Sequence, residues 1–385
     1  MTGWRVVGLL GSDDAAAIRP AVRASRPGVS FRWLRFLRAG SLALVVIPGL
    51  VTPVGAGEAG AAKAPLAIES LLLGGAVAGS RLVVVGERGH ILVSTDDGAN
   101  WTQAAVPTRV LLTAVHMHDE RTGWAVGHDA VILRTVDGGE TWTLVHQAPE
   151  EELPLLDVWF RDERSGFAVG AYGYFLATED GGETWAPQSI SEDDFHLNAL
   201  VPVADAEART EILEPDRTGT HQPENRTART ETRGTGLEPK RTGSQRLYIA
   251  AEGGAAYRSD DGGKTWRELP SPYAGSWFGG LALDENRVLL AGLRGHLFRS
   301  EDGGKTWMEV ATRTQATLTG AIRLPSGSIV ITGLEGNVLT SGDGGHSVSA
   351  RRLPARKGIS AALPLADGDV LLIGEFGVER LAQGE

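Results

Sequence analysis

Six segments of this chain align residue for residue: STDDGANW (94–101), TVDGGETW (135–142), TEDGGETW (178–185), SDDGGKTW (259–266), SEDGGKTW (300–307) and SGDGGHSV (341–348). Each reads Ser/Thr-x-Asp-x-Gly. Five end in tryptophan, at Trp101, Trp142, Trp185, Trp266 and Trp307, and the sixth ends in Val348. Their ends are spaced by 41, 43, 81, 41 and 41 residues, so one interval is about a double length. A second marker, a glycine turn closing an apolar run, precedes each segment: Gly86–Gly89, Gly127–Ala130, Gly170–Gly173, Ala251–Gly254, Gly292–Gly295 and Gly333–Gly336. A seventh turn, Gly374–Gly377, has no Asp segment behind it. The chain therefore carries seven repeats, and the long interval holds one repeat split by foreign residues.

This period is the strongest constraint on the fold, because a unit of about 40 residues cannot bury its apolar faces alone and must stack on its copies. Within one repeat, LTAVHMHD, GWAVGHD, VILRTVD and TWTLVHQ, between Leu112 and Gln147, read as four short strands separated by turns. Four strands in a repeat of about 40–45 residues are the signature of a propeller blade. The expected fold is all-β, a seven-bladed β-propeller of four-stranded antiparallel blades spanning 62–385. Because the seventh repeat stops after its third strand, the residues around Lys63–Glu69 are expected to add the outermost strand of the last blade and close the ring.

The repeated segment is an Asp box between the third and fourth strands. Its carboxylates, Asp96, Asp137, Asp180, Asp261, Asp302 and Asp343, and its Ser/Thr hydroxyls accept hydrogen bonds from turn amides. The glycines supply positive φ and the tryptophan covers the hairpin. All of this is structural chemistry, and Val348 in place of tryptophan predicts a looser sixth turn. An EF-hand reading fails, since the Asp-x-Asp-x-Asp-Gly spacing and the glutamate at position 12 are missing. His116 and His118 alternate on one strand, but the matching positions are Trp159 and Arg161, Leu281 and Leu283, and Leu363 and Leu365, so this is a packing position. No metal or cofactor is expected.

Two regions stand outside the repeat. Arg32, Arg35 and Arg38 precede the uncharged stretch Ala39 to Gly57, whose apolar heart is Leu42 to Val51, and small residues follow. Basic, apolar, then small is the order of a secretory signal peptide, cut after Ala56 or after Ala61. The alternative, an uncleaved anchor, meets a core broken by Pro48 and Gly49, whereas a spanning helix needs about 20 apolar residues. Residues 1–61 are read as a leader, and the mature protein as exported, periplasmic or extracellular, or membrane-tethered if uncleaved. The segment 204–245, inside blade 4, is rich in Arg-Thr and glycine and almost without aromatic residues, so it is read as a disordered insertion.

Composition narrows function mainly by exclusion. A formal charge of −11 argues against nucleic acid, which needs a basic face. The absence of cysteine removes disulfides, thiolate metal sites and thiol nucleophiles.

In DERTGWAVGHDAVILRTVDGGETW (119–142) and DERSGFAVGAYGYFLATEDGGETW (162–185), a "GWAVG" block and the Asp box stand at fixed spacing. On these residues the chain resembles the Asp-box (bacterial neuraminidase repeat) superfamily and, within it, the photosystem II assembly and stability factor family of exported seven-bladed propellers. The resemblance covers about 65–383 apart from the insertion. It implies a non-enzymatic, monomeric accessory that binds a membrane or envelope protein, with no small-molecule substrate. Photosynthetic members carry an arginine-rich patch; here glutamates alternate with Arg88 and Arg294.

In an up-and-down blade the glycine turns and the blade-to-blade loops share one face, opposite the Asp boxes. The expected partner-binding residues on that face are Arg88, Tyr172, Trp277, Phe278, Arg294 and Phe376, since aromatic and arginine side chains anchor protein interfaces. The rival readings are a glycan-binding propeller or a secreted glycoside hydrolase, sialidase-like or glucan-acting. A sialidase needs an arginine cluster, a tyrosine nucleophile and carboxylate partners; only Tyr172, Tyr174, Tyr248, Tyr257 and Tyr273 are available, and no Phe/Tyr-Arg-x-Pro segment precedes the first box. A paired-carboxylate hydrolase stays open, because sequence gives no separations.

Overall fold

The computed structural model describes residues 60–203 and 244–382. The expected leader, apart from its last two residues, and the expected insertion, apart from Ser244 and Gln245, lie outside the described residues.

Seven antiparallel sheets follow one another along the chain. In the first, Leu72–Ala78 pairs with Arg81–Gly86, then Ile91–Ser94, then Thr102–Gln103. The inner strands of blades 2 to 7 are Leu112–Met117, Leu155–Phe160, Leu197–Pro202, Trp277–Ala282, Leu318–Arg323 and Ile359–Pro364. The second strands of blades 2 to 7, such as GWAVG, LYIAA and VLLIG, are buried at every residue, because a neighbouring blade covers each face. Successive side chains point to opposite faces of a strand. Val83 and Val85 therefore pack toward blade 2, and Leu82 and Val84 toward blade 7.

The apolar core is correspondingly divided into seven clusters, one at each interface between blades. Leu72, Leu82, Val84 and Leu92 of blade 1 meet Leu363, Leu365, Leu371 and Ile373 of blade 7, so the ring is closed by burial. The expected closing strand does not form: among the described residues blade 7 has three strands, and Ala67–Glu69 is a 3-10 turn. Its backbone is spent locally, with Ala67 N–H donating to the Ala64 carbonyl and Glu69 N–H to that of Leu66, both at 3.0 Å, while Pro65 has no N–H to offer. Ala67 still enters the closing cluster, with Ala64 and Ile68 packed against it. Where the third strands of other blades bury Leu92, Leu133 or Leu339, blade 7 has the exposed Glu379, a charge that suits an unpaired edge.

The Asp boxes carry out the local chemistry expected of them. In blade 5, Asp302 Oδ1 accepts from Thr306 N–H at 2.9 Å, Asp302 Oδ2 from the Thr306 hydroxyl at 2.6 Å, and Ser300 Oγ from Gly304 N–H at 2.8 Å. The indole N–H of Trp101, Trp142, Trp185 and Trp266 donates to a glycine carbonyl of its own box. Trp307 instead reaches the Pro270 carbonyl of the preceding blade at 2.9 Å. The sixth turn is not looser: Gly345 N–H donates to Ser341 Oγ at 2.9 Å and Ser347 N–H to Asp343 Oδ1 at 3.0 Å. The carboxylate, not the indole, sets the turn, and Val348 packs on the neighbouring cluster.

Each box also receives the preceding blade. The residue after the box aspartate has positive φ, and in blades 3 to 6 its carbonyl accepts from the preceding blade. Trp124 Nε1 donates to Gly181 O at 3.1 Å, Arg161 Nη1 to Gly262 O at 3.1 Å, Arg258 Nη1 to Gly303 O at 2.5 Å, and Arg299 Nε to Gly344 O at 2.9 Å. Blade 1 alone has a side chain at this position, Asp97 (φ 58°). There Asp97 Oδ1 accepts from Ala366 N–H of blade 7 at 3.1 Å and lies near Arg380.

Two outcomes follow. Arg299 is buried, so Arg299→Met, which keeps bulk but removes the donor, is expected to lower stability by about 1–3 kcal/mol in denaturant titration. The hydroxyl and backbone N–H of Thr184, Thr265 and Thr306 hold the Asp180, Asp261 and Asp302 carboxyls at about 2. A depressed folded value contributes stability that is complete above the unfolded value of about 4 and is lost as pH falls toward 2. The melting temperature should therefore fall steeply below pH 4, and Asp302→Ala should shrink that fall.

Candidate binding face and channel

On the face opposite the boxes, six glycine turns are single 3-10 turns whose middle residue is left-handed: Arg88, Asp129, Tyr172, Gly253, Arg294 and Glu335 have φ between 53° and 66°. In five of the six the last residue is a glycine, which leaves room for the neighbouring loop, since a Cβ at Gly89 would stand 2.2 Å from the Thr108 carbonyl oxygen; blade 2 has Ala130 there. A non-glycine residue at such φ costs roughly 1–2 kcal/mol. Five turns bear that cost and aim a side chain outward. In blade 7 the turn is tighter, with Gly374 paired to Gly377 across Glu375 and Phe376.

Of the residues expected here, Arg88, Tyr172 and Arg294 are exposed at turn apexes, Tyr172 by 61%. Tyr172 stands edge-on to His196, ring centroids 4.7 Å apart, and His196 lies 3.9 Å from Glu252. Phe376 is half-buried against the cluster between blades 6 and 7. Phe278 is half-buried and lines the central channel. Trp277 is a correction: it is fully buried, its indole N–H donates to the Gly254 carbonyl at 2.9 Å, and it fills the core position that Leu72 or Leu112 fills elsewhere. Adjacent strand residues face opposite ways, so only one of the Trp277–Phe278 pair reaches the site.

The channel is a cavity of about 370 Å³ walled by all seven inner strands. It begins on the glycine-turn side, at the second residue of each: Leu73, Thr113, Leu156, Asn198, Phe278, Thr319 and Ser360. Three of these clasp the next blade, each at 2.7 Å: the Thr113 hydroxyl donates to Leu155 O, Asn198 Nδ2 to Trp277 O, and the Thr319 hydroxyl to Ile359 O. The third residue is Gly74, Ala114, Ala199, Gly279, Gly320 or Ala361 in six blades, because backbones converge there; a Cβ at Gly279 would lie 2.8 Å from Gly320 Cα. Blade 3 has Asp157. Its Oδ2 accepts from Leu200 N–H of blade 4 and its Oδ1 from Val158 N–H, both at 2.8 Å. Burial nevertheless pushes its carboxyl up to about 6. The repeat alignment shows this break from small residues, but no sequence pattern placed it in the channel.

Asp157 is the only carboxylate among the described residues that line the channel, so a paired-carboxylate mechanism finds no second partner there. Burial raises the phenol pKa of Tyr174 to about 12 and pushes those of Tyr248, Tyr257 and Tyr273 up, the reverse of what activates a nucleophile. His116 packs against the rings of Trp159 and Phe160, and burial lowers its pKa to about 4.

The fold and its two unlike faces define an Asp-box seven-bladed propeller. The family model for photosystem II assembly factor YCF48 matches residues 93–153 and 145–279, and the chain resembles that family. Among solved structures, YCF48 bound to D1 peptide is 15% identical, with 82% of this chain and 92% of that chain covered at a TM-score of 0.59. YCF48 from Cyanidioschyzon merolae is 16% identical, with 81% and 96% covered and a TM-score of 0.54. A catalytically inactive virginiamycin B lyase from Staphylococcus aureus with quinupristin is 10% identical, with 82% and 96% covered and a TM-score of 0.61. At these identities the likeness is one of fold. No curated protein matches the chain in sequence.

Asp157 gives a sign-definite test. Its folded value lies above the unfolded one, so its contribution is complete below about pH 4 and is lost as pH rises through about 6. Carboxyl-carbon NMR should show a group titrating near 6. The stability of Asp157→Ala relative to the parent should improve between pH 5 and pH 7.5.

Proposed function

We propose that this propeller is an exported, non-enzymatic accessory or assembly factor that binds a segment of a membrane or envelope protein on its glycine-turn face. The observation that carries this reading is the contrast between the two faces. Box carboxylates, hydroxyls and glycine carbonyls are engaged in holding turns and joining blades. The opposite face displays Tyr172, Arg88 and Arg294 on strained apexes around an open channel mouth. A structural neighbour with a bound D1 peptide and the family match support protein binding over catalysis. The basic, apolar, small order before residue 62 supports export.

A photo-crosslinking residue placed at Tyr172 should yield a discrete membrane-protein adduct when the mature chain meets host envelopes. The same residue at Lys305, on an Asp box, should not. Adducts only from Lys305, or equal adducts from both, would contradict the assignment of the face.

A further inference from the structure

Besides tying blade 3 to blade 4 through Leu200 N–H, Asp157 gives the channel throat a charge that filling space does not require. Six blades bring glycine or alanine to the third position of the inner strand, so a carboxylate in blade 3 is not needed to fill space. Asp157 is half-buried, and placing a carboxylate there without a counter-charge costs stability. Around Asp157 the Thr113 hydroxyl proton is directed to Leu155 O, and one of the two Asn198 amide protons to Trp277 O. The Thr113 hydroxyl is left with lone pairs, and Asn198 with its amide oxygen and one N–H. The carboxylate has about four acceptor sites, and backbone N–H groups of Val158 and Leu200 take two of them. Across blades 2 to 4 acceptors thus outnumber free donors in the throat, and blade 5 continues the arc with Phe278. Several convergent acceptors fit a cation carrying several N–H donors, and an aromatic ring favours the same charge. A cavity of about 370 Å³ admits a side chain and excludes a folded domain. The formal charge of −11 steers basic partners toward the molecule.

We propose that the throat is the receptor for one lysine or arginine side chain of the partner, with Asp157 as its counter-ion. This rests on the reading of the glycine-turn face as a protein-binding surface, and it specifies that the anchor is basic.

The test passes capped hexapeptide pools, each fixing one residue type at one place, over the immobilised mature propeller and over Asp157→Asn and Ser360→Lys, with folding of each checked by thermal melting. Ser360 lines the same cavity, so its replacement supplies a competing ammonium from blade 7. The parent should retain lysine and arginine pools at least about tenfold over glutamate pools, and both variants should lose that preference. If Asp157→Asn does not fold, Ser360→Lys decides. The proposal is overturned if the parent retains no basic pool preferentially, or if both variants keep the preference. Retention of other pools that Tyr172→Ala abolishes would keep the binding face while removing its basic anchor. Retention unchanged by Tyr172→Ala would remove both.

Discussion

Everything else in this structure depends on how one short turn joins one blade to the next. The box aspartate fixes a turn in which the following residue is left-handed, and in blades 3 to 6 this presents a backbone carbonyl to the preceding blade. Four consecutive interfaces use that carbonyl, receiving Trp124, Arg161, Arg258 and Arg299. Hydrogen bonds from charged donors contribute roughly 1.5–3 kcal/mol each and neutral ones about 1, so the three arginine joints and the Trp124 joint reinforce the apolar clusters at those four interfaces. Blades that could not stand alone become a rigid ring.

Closure shows the same constraint at its weakest place. Among the described residues blade 7 has neither a box nor a fourth strand, yet it must meet blade 1. At that junction the usual glycine is Asp97, whose side chain, rather than its carbonyl, takes the Ala366 N–H and approaches Arg380. Apolar burial and this side-chain clasp close the ring, while the N-terminal segment covers the joint as a turn.

The sequence made the number of blades legible because the repeat is marked twice, by the box and by the glycine turn. The box could be read in chemical detail because its bonds are local, running two to four residues along the chain. What could not be read was long-range. Val348 looked like a defect, though the turn depends on Asp343 and not on an indole. Lys63–Glu69 looked like a missing strand, but local turn bonds took its backbone groups first. Trp277 looked like a surface anchor because strand parity alone does not say which of two neighbouring rings faces the core. Of the expected rim, Arg88, Tyr172 and Arg294 stand exposed, whereas Asp157 came into view only when seven inner strands were brought around one axis.

The central claim is that one face holds the ring together and the other meets a partner. Hydroxyl-radical footprinting of the propeller, free and in contact with native envelopes, tests it most directly. Protection should fall on Tyr172 and Phe278, with the box residues Trp101, Trp142, Trp185 and Trp266 unchanged. Protection confined to those tryptophans, with Tyr172 and Phe278 reacting as in the free protein, would contradict the account.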